Sequence, residues 1–491
     1  MAVLLPPPGI AADTAIEVKN NEAVDRTIKR GRHDSHTLPE TDMSSSTGKR
    51  VGVVVGVIVA IGLLVLAWAA IRPGPMAFAG GKSVALSEYS EHPTGVPTDF
   101  QEAEPLARGK YLTDAADCQA CHTAEGGKPF AGGRPFDTQF GTMYSPNITP
   151  DVQTGIGSWS DTDFLKAVHE GVAKGAVNLY PSFPYAAYTY LTDDDVLAIK
   201  AYLFSLAPER NVPPENALKF PFNQRGLMAI WARLYDPNTR FRPVADRTPA
   251  WNRGAYLTEA LGHCGDCHTP RTALQSLDNR HKFAGGMAEG WRAYNLSSDK
   301  ASGIGTWSQD DLERYLKTGH SMDRGSAFGP MAEAVHLSFA KLTASDVSAI
   351  AEYVRSVPGV RTHDLPAPKI EPASENPSQS VAANVDPRGL SIFAGVCSGC
   401  HGWTGVNSLV PHSTLTGTRA VNDPTATNVA LAVLRGASSL PPSGDIAVMP
   451  AFGDAYSDDD IAAVANYVIA RFGAQASAIT AAEVSKLRET R

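Results

Sequence analysis

Cys118-Gln119-Ala120-Cys121-His122 is echoed by Cys264-Gly265-Asp266-Cys267-His268 and by Cys397-Ser398-Gly399-Cys400-His401, and these three pentapeptides use all six cysteines of the chain. Two thiols three positions apart share one helical turn, so both can add to the vinyl groups of a haem while the adjoining histidine reaches the iron as proximal ligand. Each motif therefore predicts one covalently attached haem c, three in all. Cys118, Cys121, Cys264, Cys267, Cys397 and Cys400 are the attachment points, and His122, His268 and His401 the iron ligands. Three short disulfides would need no histidine after each second cysteine. Zinc would join the pairs two by two and leave one over. A thioredoxin-like motif would follow a strand, and no strand–helix rhythm surrounds these pairs.

Outward from the motifs, 491 residues are enough for three domains of about 150 residues with appendages. A hydrophobic content of 43% against 19% charged residues excludes disorder throughout. The formal net charge of -8 lacks the basic excess that binding to a phosphate backbone needs, so nucleic acid is not an expected partner. Residues 1–50 carry balanced charges and a serine run, which reads as a disordered tail. Val51 to Ile71 holds no charge and as a helix would extend about 32 Å, which predicts a transmembrane anchor. A cleaved export signal is the rival reading, because Ala77-Phe78-Ala79 is an acceptable cleavage site, and Met43 could be the true start. Covalent haem attachment places the following domains on the periplasmic side of a bacterial inner membrane.

A threefold repeat organises the rest. Arg108-Gly109, Arg253-Gly254 and Arg388-Gly389 stand shortly before their motifs, each on a lead-in helix. Gly155-Ile156-Gly157-Ser158-Trp159-Ser160 is echoed by Gly303-Ile304-Gly305-Thr306-Trp307-Ser308, each opening an amphipathic helix. Each unit then closes with a helix capped by Thr192, Thr343 or Ser457 and carrying a late tyrosine, Tyr202, Tyr353 or Tyr467. Two helices flanking a haem, with a loop between them for the distal ligand, make the small cytochrome c fold. The expected architecture is mainly α, with three tandem cytochrome c-like domains after one N-terminal transmembrane helix. The domains fall over 100–206, 251–360 and 388–473. A connector over 207–250 with an apolar helical run, a proline-rich linker over 361–387 and a tail over 474–491 complete the chain.

An electron-transfer haem needs a second axial ligand, commonly a methionine thioether. Met331 in Gly329-Pro330-Met331 and Met449 in Met449-Pro450 stand just before the closing helices of the second and third units and are the expected ligands there. The matching position in the first unit is Phe183, which cannot bind iron. Met143, His169 and a five-coordinate iron are the alternatives, with Met143 preferred because its loop can face the haem; His169 reads as a surface or satisfied histidine.

These motifs, with Tyr180-Pro181-Ser182-Phe183-Pro184-Tyr185 and Met449-Pro450-Ala451-Phe452, resemble the triple-haem cytochrome c subunit of membrane-bound periplasmic dehydrogenases of acetic acid bacteria, over about residues 100 to 472. The resemblance implies a partner catalytic subunit carrying a molybdenum cofactor, pyrroloquinoline quinone or flavin. It also implies a small iron–sulfur subunit as a further partner, and delivery of electrons to ubiquinone at the inner membrane. Family members commonly carry methionine where Phe183 stands, and phenylalanine there goes with molybdenum partners that oxidise aldehydes. The expected function is a non-catalytic electron-transfer subunit; the competing one is a peroxidase-like haem enzyme working at an open first haem. No phosphate-cradling loop or nucleophile elbow is present in the sequence.

Overall fold

The computed structural model describes residues 44–100, 104–322, 324–376, 385–439 and 447–490. The sequence tail over 1–43 and part of the proline-rich linker, 377–384, lie outside them. By its contacts the chain divides into a short body ending at Leu66 and one compact body from Ala67 to Arg491. Helix α1, Ser44–Ile71, covers the apolar run. The expected membrane-spanning helix is corrected here: among the described residues no helix is long and apolar enough to cross a membrane.

In the large body the first unit comprises α2 (Pro105–Ala115), α3 (Cys118–Cys121), α4 (Asp161–Glu170), α5 (Tyr185–Tyr188) and α6 (Asp193–Ser205). The connector contributes α7 (Gly226–Tyr235). The second unit repeats the order with α8 (Pro249–Tyr256), α9 (Gly265–His268), α10 (Gln309–Thr318), α11 (Gly329–Leu337) and α12 (Ala344–Ser356). The third has α13 (Pro387–Ile392), α14 (Ser398–His401), α15 (Thr427–Arg435) and α16 (Asp458–Phe472), with α17 (Ala481–Glu489) after it. A short antiparallel hairpin follows each of the first two haem motifs, Pro135–Thr138 with Gly141–Tyr144 and Gly286–Ala288 with Trp291–Ala293.

The lead-in arginine–glycine pairs have a steric reason. A methyl group on Gly109, Gly254 or Gly389 would collide with the carbonyl oxygen of Ala198, Ala349 or Ala463, so glycine lets each lead-in helix press backbone to backbone on its closing helix. The late tyrosine of each closing helix sits over that same glycine. Caps fall where the sequence places them: Thr192, Thr343 and Ser457 each accept a hydrogen bond from the backbone N–H three residues on. Ser160 and Ser308 start α4 and α10 with full capping boxes.

Three segments are more ordered than their composition implies. Residues 72–100 cross the first and second units, with Arg253 donating to the Pro93 carbonyl at 2.7 Å and the Gly95 N–H donating to Asp195 at 2.8 Å. The linker after Val360 is extended but bound: Leu365 is buried, and the Ala373 N–H donates to Thr404 at 2.9 Å. The C-terminal tail forms the capped helix α17, whose Val484 is fully buried against the third unit. The connector helix α7 turns Trp231 inward, where its Nε1 donates to the Leu274 carbonyl at 2.8 Å, and leaves Leu227 and Ile230 exposed.

Candidate haem sites

Each proximal histidine is held the same way. His122 Nδ1 donates to the Pro146 carbonyl at 2.8 Å, His268 Nδ1 to Tyr294 at 2.6 Å and His401 Nδ1 to Ser413 at 2.5 Å. A carbonyl can only accept, so Nδ1 carries the proton and Nε2 is left as the lone-pair nitrogen an iron requires. Burial holds all three imidazoles below their ordinary pKa, which keeps that lone pair unprotonated. The carbonyl partners were not foreseen from sequence. A signal existed in the first two units, where Pro146 and Tyr294 each precede an asparagine, Asn147 or Asn295, whose side chain accepts from the backbone N–H two residues on.

None of the six cysteines is joined to another in a disulfide. A largely apolar cavity of about 420 Å³ runs beside them. It is lined by Cys264, Cys267, His268 and Met331 of the second unit, by Cys397, His401 and Met449 of the third, and by Cys121 of the first. Cys118 packs into the interior of the first unit, where His122 is also buried. In the second unit both cysteines, the neutral imidazole and the thioether-bearing Met331 line this apolar space together, and in the third Cys397, His401 and Met449 do, which is the donor set a covalent haem needs.

In the first unit the expected ligands are arranged differently. Phe183 packs edge-on to Tyr188, with ring centroids 5.5 Å apart, where the second unit has Met331. Met143 is half-buried on the hairpin strand Gly141–Tyr144, and its Sδ accepts from Ser182 Oγ at 3.6 Å, beside Phe183. Twelve residues before its Gly-Ile-Gly stretch, Met143 matches Trp291 of the second unit, which lines the cavity. His169 is not a surface residue: it is buried at the end of α4, its Nε2 has no hydrogen-bond partner, and burial lowers its pKa to about 4. Its repeat counterpart, Lys317, donates to the carbonyls of Ala340 and Leu342, so this position belongs to the clamp between helices.

The lead-in helices, the pinned histidines and the paired thiols together define a c-type cytochrome, and such domains carry covalent haem c. Residues 106–207 match the model of the cytochrome c family, and residues 384–468 that of cbb3-type cytochrome c oxidase subunit III. The chain is 37% identical to the gluconate 2-dehydrogenase cytochrome c subunit of Pantoea cypripedii, over 78% of this chain and 89% of that one. It is 36% identical to the fructose dehydrogenase cytochrome subunit of Gluconobacter japonicus, over 80% and 84%. With a nicotinate dehydrogenase subunit of Pseudomonas putida the identity is 39% over 76% of this chain, which spans 31% of that relative's length. The chain belongs to the family of cytochrome c subunits of gluconate, fructose and alcohol dehydrogenases. Its role is therefore electron transfer through haem, with a catalytic dehydrogenase as partner.

Proposed function

We propose that this chain carries three haems c and passes electrons from a periplasmic dehydrogenase that oxidises aldehydes or alcohols to ubiquinone at the inner membrane. The observation that carries this reading is the threefold Nδ1-to-carbonyl arrangement of His122, His268 and His401, each beside its own pair of cysteines. Cys118 and Cys121, Cys264 and Cys267, and Cys397 and Cys400 form the thioether bonds, and the three histidines are the proximal ligands. Met331 and Met449 are the distal ligands of the second and third haems, and Met143 that of the first. The chain's own residues fix the imidazole tautomer and surround the attachment points of the second and third haems with largely apolar side chains. The third attachment is the most open, with Cys400, Val396 and Leu409 exposed, which supports exchange of electrons with another molecule on that side.

Two features support one type of partner. Phe183 in the Tyr180–Tyr185 loop, the residue that the family resemblance associates with molybdenum partners, favours a molybdenum-containing catalytic chain with a small iron–sulfur subunit, and the match to part of a longer nicotinate dehydrogenase chain supports a dehydrogenase partner. A partner carrying pyrroloquinoline quinone or flavin is the other outcome. Purifying the chain from its native membranes tests this: a large cofactor-bearing chain should accompany it, aldehyde or alcohol should reduce the haems, and a quinone analogue should reoxidise them. Isolation of the chain alone, with turnover of hydrogen peroxide, would overturn the proposal.

A further inference from the structure

Arg134 stands where the first two haem attachments meet. Its Nη1 donates to the Ala120 carbonyl at 2.6 Å, between the two cysteines of the first motif. The same nitrogen reaches both carboxylate oxygens of Glu333, at 2.6 and 2.7 Å, two residues beyond Met331. Its Nη2 donates to Glu289 at 3.0 and 3.2 Å, at the tip of the second unit's hairpin. Arg134, Glu289 and Glu333 all line the cavity that Cys121 and Cys267 also line. The fold does not require a cation here: counted from Phe130 and Phe283, which hold the same place in the two units, the counterpart of Arg134 is Met287, and it is exposed.

We propose that Arg134 is a positioning residue for electron transfer between the first and second haems. Its charge offsets the Glu289 and Glu333 carboxylates at their junction, and its hydrogen bonds tie the first attachment turn to α11, the helix that carries Met331. This rests on the three-haem reading above. Negative charge close to an iron favours the ferric form, because the oxidised centre carries one more positive charge. With the guanidinium in place, one of the two carboxylate charges is offset, and the first two haems are easier to reduce than they would be beside both carboxylates alone. Without it, both lose that help, while the third haem, whose attachment lies in another unit, does not.

The test is a redox titration of the full chain followed by optical and electron paramagnetic resonance spectra, with haem content checked by intact mass. Arg134→Gln should lower the ferrous-to-ferric ratio of two haems about tenfold at a fixed ambient potential, a midpoint shift of about 59 mV for one electron. Arg134→Lys should restore most of it. Glu289→Gln and Glu333→Gln should shift the same two haems in the opposite direction, which keeps the test open if Arg134→Gln fails to fold. Equal shifts in all three haems, or none in any with three haems bound, would overturn the assignment of Arg134. A wild-type mass short of three haems would instead remove the reading on which it rests.

Discussion

Tyr111 of the first unit donates its hydroxyl proton to Asp346 of the second at 2.6 Å, and Tyr256 of the second donates to Asp195 of the first at the same distance. Each hydroxyl also accepts from the other unit's helix cap, Tyr111 from the Thr343 N–H and Tyr256 from the Thr192 N–H, both at 3.2 Å. Each aspartate is paired within its own unit as well, Asp346 with Arg253 and Asp195 with Arg108. A cap that α16 completes internally through Ser457 and Asp460 is thus completed across a boundary in α6 and α12. The third unit has Ser391 where the others have Tyr111 and Tyr256, so it has no such arm. This explains why the first two units share one core while the third has its own.

Removing one arm should loosen both units together. A buried hydrogen bond to a charged group contributes about 1.5–3 kcal/mol, so Tyr111→Phe or Tyr256→Phe should destabilise the first and second units by about 2 kcal/mol each. Hydrogen exchange on the full chain should show faster opening of α6 and α12 together, with α16 unchanged. Opening confined to one unit would contradict the reciprocal linkage.

Alkaline pH acts on the same bonds. Burial raises the pKa of Tyr111 and Tyr256 above the ordinary value of about 10, so the fold favours the protonated phenols. That stability is fully present below pH about 10 and declines as pH rises further toward the folded values. The wild-type thermal transition should fall above pH 10, and the double variant Tyr111→Phe/Tyr256→Phe should fall less steeply. Parallel slopes would contradict the assignment.

At the acid end His169 gives the opposite sign. Its folded pKa of about 4 lies below the ordinary 6.5, so its contribution is present above 6.5 and is lost as pH falls toward 4. His169→Lys, which copies Lys317 of the second unit, should change the acid limb of the stability profile between pH 6.5 and 4. An unaltered limb would show that His169 is not the group responsible.

Gly254 tests the packing. Adding a methyl there drives it into the Ala349 carbonyl, and overpacking of this kind costs about 1–3 kcal/mol. Gly254→Ala should lower the thermal midpoint, while Gly226→Ala, which meets nothing within 4 Å, should not. Equal effects would contradict the close crossing.

Much of this was legible in sequence because it is local. The cysteine pairs, their histidines, the caps at Thr192, Thr343 and Ser457 and the Arg-Gly lead-ins each depend on residues within a turn or two. The Tyr111–Asp346 bond, the Arg134 cluster and the burial of His169 depend on partners brought together only by the fold, with 235 residues separating the first pair. Composition misled at the ends. The charged tail after Gly473 folds as α17 because Ile479 and Val484 give it an apolar face, and the uncharged run Val51 to Ile71 did not yield a membrane-crossing helix among the described residues. Phe183 marks the first unit's different distal side in sequence, but only the fold shows Ser182 hydrogen-bonded to Met143.

The distal ligands can be separated by spectroscopy. Met331→Ala and Met449→Ala should each remove the methionine-ligated signature of one haem, and Met143→Ala that of the first. A full set of signatures surviving Met143→Ala would remove it as a ligand.

The intact mass of the mature full chain is the most direct test, since every step above needs haem bound at each cysteine pair. The account predicts the polypeptide mass plus three haems, falling to two when Cys264 and Cys267 are both replaced by alanine. A wild-type adduct of fewer than three haems would contradict it.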